Sequence, residues 1–160
     1  MIELDNILFR NAMGKFATGV TVLTTLKDGE PHGMTANAFM SVSLDPKLVV
    51  ISIGHKARFL EKVTTAQKFG VSILAEDQEE YSRVFAGQME GSPEFVNLAG
   101  IPVLHGAVAR IACEVVSTHI EGDHTLFIGK VLDIQLEEKN PLLFFGGKYR
   151  ELAELANIES

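Results

Sequence analysis

Residues 107–118, AVARIACEVVST, and residues 125–136, TLFIGKVLDIQL, decide the fold. Both runs are long, rich in β-branched residues and free of proline, and they are joined around Glu121-Gly122-Asp123-His124, so they predict two long strands connected by a turn. Working outward, Val20 to Thr25 is a third β-branched run, and Lys27-Asp28-Gly29 supplies a turn before Gly33 to Phe39, which predicts a hairpin. Leu48 to Ile53 is short, branched and bounded by Asp45-Pro46 and Gly54, as a buried strand would be. Phe69 to Leu74 and Leu142 to Phe145 predict two more strands. Helical spacing covers Asn6 to Phe16, with Ile7, Leu8, Phe9, Met13 and Phe16 on one apolar face, then Arg58 to Gln67 and Asp77 to Phe85, with Gly87 as a stop. The strict strand-helix-strand alternation of a doubly wound parallel sheet is missing. The expectation is a mainly β chain, an antiparallel barrel with helices packed outside.

The 160 residues, 46% hydrophobic and 22% charged, predict one domain, 1–160, with a sizeable core. No low-complexity run argues for disorder. The longest apolar stretch, around Leu48 to Ile53, is far below the roughly 20 residues of a membrane span. Met1 to Asp5 is acidic and opens no apolar segment, unlike a secretory signal, so the expected location is the cytoplasm. A single cysteine, Cys113, excludes an intrachain disulfide and fits a reducing compartment. The net charge of −7 argues against nucleic-acid binding. A mean hydropathy of +0.17 is high for a small monomer, which points to a second subunit covering apolar surface.

Neither a G-x-G-x-x-G turn nor a G-x-x-x-x-G-K-[ST] loop is present, so any nucleotide is bound in another way. Between Lys47 and Lys68 stand five basic residues (Lys47, Lys56, Arg58, Lys62 and Lys68) and one acid, Glu61, a local +4 that leaves −11 elsewhere. Lys56 and Arg58 fall where a strand turns into a helix start, which suits a phosphate; a solvated basic face would read the same. Met34 to Ser43 alternates small or polar with apolar groups. Asn37 can donate and accept, and Ser41 and Ser43 can share a strand face, as needed to read the edge of a planar heterocycle; edge-strand polarity is the plainer account. Gly122-Asp123-His124 is either a simple turn or a histidine held at a barrel mouth, with Asp123 orienting the imidazole. No G-x-S-x-G elbow occurs, and Cys113 lies mid-strand among apolar neighbours as an inert thiol. His32, His55, His105 and His119 have no metal-ligand spacing, so no metal is expected.

Phe16 to Val22, Gly33 to Pro46, Phe85-Ala86-Gly87, Gly122-Asp123-His124 and Pro141 to Phe145 together resemble, over nearly the whole chain, the small flavin reductases with an FMN-binding split-barrel fold. These are the reductase components of two-component flavin monooxygenases. Within that family the chain resembles most the reductase of bacterial phenol hydroxylase, and next that of 4-hydroxyphenylacetate monooxygenase. The resemblance implies an antiparallel split barrel, a homodimer with flavin sites near its interface, and NADH-dependent reduction of FAD or FMN, with reduced flavin passed to a separate oxygenase. It places Met34, Thr35, Ala36, Asn37, Ser41, Val42 and Ser43 on the isoalloxazine and ribityl chain. Ser52, Ile53, His55, Lys56 and Arg58 fall on the phosphate side, and Phe85 and Ala86 close the pocket. Gly122, Asp123 and His124, with Tyr149, would contact NADH. Hydride transfer belongs to the cofactors, so no catalytic acid or base is implied and His124 positions the nicotinamide. A flavin-retaining electron-transfer protein, a flavin-storage protein and a cofactor-free dimeric module are the rival readings.

Overall fold

A computed structural model describes residues 4–154; Met1 to Glu3 of the acidic N-terminal reading lie outside them. In chain order the elements are α1 (Asn6–Gly14), β1 (Thr18–Gly19), β2 (Thr21–Lys27), β3 (Glu30–Ala36), β4 (Phe39–Ser43), β5 (Leu48–Gly54), α2 (Phe59–Ala66), β6 (Lys68–Ile73), α3 (Glu79–Phe85), β7 (Phe95–Leu98), β8 (Ile101–Leu104), β9 (Ala109–Glu121), β10 (His124–Leu136), β11 (Leu143–Phe145) and β12 (Lys148–Arg150). Seven strands form one sheet in the order β3-β2-β6-β9-β10-β5-β4, and every neighbouring pair in it is antiparallel.

The two edges of that sheet, β3 and β4, are consecutive in the chain, separated only by Asn37 and Ala38. Two intervening residues span only about 10 Å even when extended, so the sheet must curl until its edges meet at Asn37-Ala38. Yet β3 and β4 do not pair with each other. The result is a barrel closed by covalent chain at one end and split along its seam, as the resemblance implies.

Alternation along the strands fills the interior. Leu23, Ile51, Ile53, Phe69, Val71, Cys113 and Phe127 form one buried cluster, joined by Phe59 and Val63 of α2. On the other face of β2, Val20 and Val22 pack with Leu74, Leu104 and Leu142 beneath Tyr81 and Phe85 of α3 and Phe144 and Tyr149 of the β11–β12 hairpin. Buried on both faces, β2 reads as a continuous apolar and threonine run. Its Thr24 hydroxyl donates to the Pro102 carbonyl of β8.

Several expectations change. The hairpin arm predicted as Gly33 to Phe39 ends at Ala36, because the chain must cross there from one sheet edge to the other. In β4 the register slips between Ser41 and Ser43, leaving Val42 without a partner opposite Val49 and Leu48. Strict two-residue alternation therefore does not carry Ser41 and Ser43 onto one face. Helix α1 forms, but it buries no residue in the core: Ile7, Leu8, Phe9 and Met13 are all more than half exposed. The hairpin of β7 and β8 was not foreseen.

Candidate functional site

Site geometry begins at the seam. The Ala36 carbonyl accepts from the Thr21 hydroxyl at 2.7 Å, the Asn37 carbonyl from the Phe39 N–H at 3.0 Å, and the Ala38 carbonyl from the Ser52 N–H at 3.2 Å. With these acceptors engaged, the junction offers a ligand the exposed Asn37 amide. Asn37 lines three adjoining clefts.

The first cleft, about 230 Å³, brings Thr35, Ala36 and Asn37 together with Ala86 and Tyr149, all singled out in the sequence, and adds Val20, Ser82, Gln88 and Phe144. Its wall is a hydrogen-bonded chain: the Thr35 hydroxyl donates to the Ser82 carbonyl at 2.6 Å, and the Ser82 hydroxyl bonds the Tyr149 phenol at 2.7 Å. Phe144 meets Tyr149 edge to face with centroids 5.2 Å apart, and the Arg83 guanidinium lies 4.9 Å from the Tyr149 centroid. The second cleft, about 490 Å³, joins Asn37 to Phe16, Thr18, Thr21 and Phe39. There the Thr18 hydroxyl oxygen is buried without a partner among the described residues.

The phosphate-side and Gly-Asp-His residues form a second group. The strand pairing sets His124 opposite Gly54, and a methyl on Gly54 would stand 3.6 Å from His124 Nε2. Asp123 accepts from His124 Nδ1 at 2.8 Å, and this bond holds the Asp123 carboxyl below its ordinary value. The Asp123 carbonyl accepts from the His55 N–H at 2.9 Å, and His55 Nε2 meets the Thr125 hydroxyl at 3.0 Å. Orientation of His124 by Asp123, one of the two sequence readings of this turn, is therefore present, and the turn is tied to the end of β5 beside exposed Lys56 and Arg58.

Some expected residues are placed elsewhere. Met34, opposite Leu23, packs against the barrel interior, and Ile53 is fully buried there; alternation takes both side chains away from the clefts. Phe85 sits behind the cleft, edge to face with Phe95 at 5.9 Å, while Ala86 reaches its lining. Tyr149 stands with the Thr35 group, whereas His124 stands with Gly54 and His55. The +4 segment is not one patch. Lys47 and Lys56 lie at opposite ends of the seven-residue β5, roughly 20 Å apart; Lys62 bonds His32 at 3.0 Å, and Lys68 pairs opposite Glu114.

Ser82 and Gln88 were missed. The legible signal for Ser82 was a small polar residue on the helix face shared with Gln78 and Phe85, which needs a partner once buried. Cys113 is buried, and burial pushes its thiol up to about 12. Another cleft, lined by Glu76, Asp77, Glu138 and Lys139, has the wrong charge for a phosphate-bearing ligand. Among the described residues no three His, Cys, Asp or Glu side chains gather as a metal ion needs, and no helix is long and apolar enough to cross a membrane.

The flavin reductase like domain matches residues 13–153. The chain belongs to the flavin reductase family. The reductase is 43% identical over 162 residues to an NADH-dependent flavin reductase of Rhodococcus sp., covering 98% of this chain and 92% of that one. It is 39% identical over 145 residues to the reductase component of 4-hydroxyphenylacetate 3-monooxygenase of Thermus thermophilus, covering 90% and 95%. A solved structure of the flavin reductase PheA2 in its native state superposes with a TM-score of 0.93 at 58% identity, covering 94% of the reductase and all of that chain. The family resemblance read from the motifs, the split-barrel fold and the oxidoreductase class are borne out.

The reductase's own residues fit a flavin. Around Asn37 the clefts combine aromatic walls, a free amide and the orphaned Thr18 hydroxyl, the mixture of flat apolar surface and few polar groups that a heterocycle requires.

Proposed function

We propose that this single-domain chain is an NADH-dependent reductase of FAD or FMN that delivers reduced flavin to a separate oxygenase, one acting on phenol or 4-hydroxyphenylacetate. The observation that carries the reading is the convergence of Thr35, Ala36, Asn37, Ala86 and Tyr149 on one cleft at the seam where the barrel closes. A bound flavin supplies a two-electron acceptor for the hydride of reduced nicotinamide. The chain's part is to bind and orient: Asn37 reads the ring edge, the Thr35–Ser82–Tyr149 chain of bonds fixes the wall, and Lys56 and Arg58 meet phosphate. His124, held by Asp123, positions the nicotinamide side.

Exposed Ile7, Leu8, Phe9 and Met13 on α1 and Phe16 beyond it support a homodimer that covers them. The lone buried cysteine is compatible with a cytoplasmic location. The deciding experiment follows NADH oxidation by the purified protein with added FAD, FMN or riboflavin. Flavin-dependent oxidation is expected, and none with any flavin sinks the proposal. Sedimentation at the monomer mass would remove the dimer.

A further inference from the structure

The third cleft at Asn37, about 540 Å³, lies between the end of α1 and the turn of the β11–β12 hairpin. On the helix side it is lined by Arg10, Asn11, Gly14 and Lys15, which one- and four-residue steps carry to one side of the helix. On the hairpin side it is lined by Gly146 and Gly147. The Gly146 N–H donates to the Gly14 carbonyl at 2.9 Å and ties the two sides together. Both turn glycines have positive φ, 58° and 78°, and with no side chains they present bare backbone that a ligand can approach closely.

Charge sets this cleft apart in a chain whose net charge is −7. Among the described residues its lining holds two cations and no carboxylate, and neither Arg10 nor Lys15 has a carboxylate within ion-pair distance. The clefts shared with Tyr149 and with Thr18 have no charged lining residue, and the cleft beside Glu76 is acidic. Lys15 also suits the negative pole at the C-terminal end of α1, but Arg10, more than a turn earlier, is too far back to serve it. The cationic cleft is continuous with the ring site: it shares Asn37 and Phe144 with the first cleft, and Asn37, Met13 and Phe16 with the second. Lys56 and Arg58 line none of the three. A flavin reductase holds two nucleotides during hydride transfer, and the turn at Lys56 supplies cations for one phosphate-bearing tail; the other needs cations elsewhere.

We propose that the cleft of Arg10 and Lys15 is a second phosphate subsite, taking the phosphate or pyrophosphate tail of a nucleotide whose ring lies at the Asn37 seam. The assignment rests on the reductase reading above. Such a tail carries about two negative charges at neutral pH, which the two cations match. Arg10 can donate to it as a planar fork, and Lys15 acts as a point charge.

The test uses the full chain with Arg10→Gln, Lys15→Gln and the pair of them. Lys130→Gln, at an exposed lysine of β10, removes the same charge away from these clefts. The Kd for riboflavin, FMN and FAD is read by fluorescence titration and that for NAD+ by calorimetry. Each single variant is expected to raise the Kd of the phosphate-bearing ligand about fivefold, and the double variant about tenfold or more. Riboflavin, which has no phosphate, should bind as before, and Arg10→Lys should keep part of the affinity that Arg10→Gln loses. A rise for FMN and FAD assigns the tail to the flavin, and a rise for NAD+ assigns it to the pyridine nucleotide. In either case the affected Kd should depend less on salt in the double variant. An unchanged Kd for FMN, FAD and NAD+ overturns the proposal, as does an equal rise for riboflavin and FMN, or an equal rise in Lys130→Gln. Absence of any flavin-dependent NADH oxidation by the unsubstituted protein would instead remove the reductase reading on which the proposal stands.

Discussion

Gly33 of β3 lies directly against the ring of Phe85: a methyl on Gly33 would stand 2.8 Å from two of the ring carbons and 3.2 Å from the Leu23 carbonyl. This close approach lets α3 sit low on β3, which in turn lets the Thr35 hydroxyl reach the Ser82 carbonyl. Gly33→Ala forces α3 outward. The expected loss is about 1–3 kcal/mol, read as a lower urea midpoint at unchanged slope. Adding Phe85→Leu to Gly33→Ala should recover part of it, because the two changes share one contact.

The Ser82 hydroxyl is fully buried and finds its partner in the Tyr149 phenol, 67 residues away. Tyr149→Phe leaves that hydroxyl unpaired, which costs about 1–3 kcal/mol. Replacing both, Ser82→Ala with Tyr149→Phe, removes the orphan and should be less destabilising than the sum of the single changes. A denaturation cycle over the four proteins gives the coupling, and strict additivity would show that the bond contributes nothing.

At the other group, His124→Ala should raise the KM for NADH about tenfold, an effect comparable to losing one charge-assisted hydrogen bond, with flavin affinity unchanged. Rapid-mixing reduction with the same NADH dependence as the unsubstituted protein would exclude His124 from the nicotinamide side. The Asp123 carboxyl is held down by its bond from His124, so this contact persists as pH falls through the ordinary carboxylate range near ~3.9 and is released only below it. Asp123 is exposed and its effect on stability is screened, so the titration is best followed at the carboxyl itself by NMR. His124→Ala should raise its midpoint toward the ordinary value, since the hydrogen bond from His124 is the largest cause of the shift.

Asn37→Leu should weaken flavin binding about tenfold or more, since the amide is replaced by a group that cannot pair with the polar edge of a ring. Titration of flavin fluorescence checks it. The residue serves three clefts at once, so an unchanged dissociation constant would move the flavin away from the seam altogether.

The long strands and the Gly122-Asp123 turn were legible because a thirteen-residue β-branched strand carries a strong local signal, and Gly87 was legible because helix ends use glycine at that position. The hairpin of β7 and β8 was not. Its strands have four residues each, one contains Pro102, and its turn places Ala99 and Gly100 at positive φ of 51° and 83°, where Asn-Gly would have announced it. Charge counting along the chain could not know that β5 separates Lys47 from Lys56, nor alternation that Val42 would bulge. The seam motif was legible as a stretch alternating small or polar with apolar residues; that it is also where the barrel closes depends on the sheet order, which local pattern does not contain.

Cys113 faces the barrel interior with Phe69 opposite it on β6, and burial pushes its thiol from 9.0 up to about 12. In the unfolded chain the thiol loses its proton near the lower value while the folded protein still holds it, so between pH 9 and about 12 the native state binds the extra proton and stability falls as pH rises. The slope from this one group is about 1.4 kcal/mol per pH unit. Cys113→Ala removes that contribution: its stability should decline less steeply with alkali than that of the unsubstituted protein, although the variant starts lower because a small cavity is left beside Phe69. Equilibrium urea unfolding at a series of pH values reads the difference, and parallel declines for the two proteins would mean that the thiol is reached by solvent in the folded state. The same burial predicts slow alkylation at neutral pH under native conditions and fast alkylation once urea unfolds the barrel.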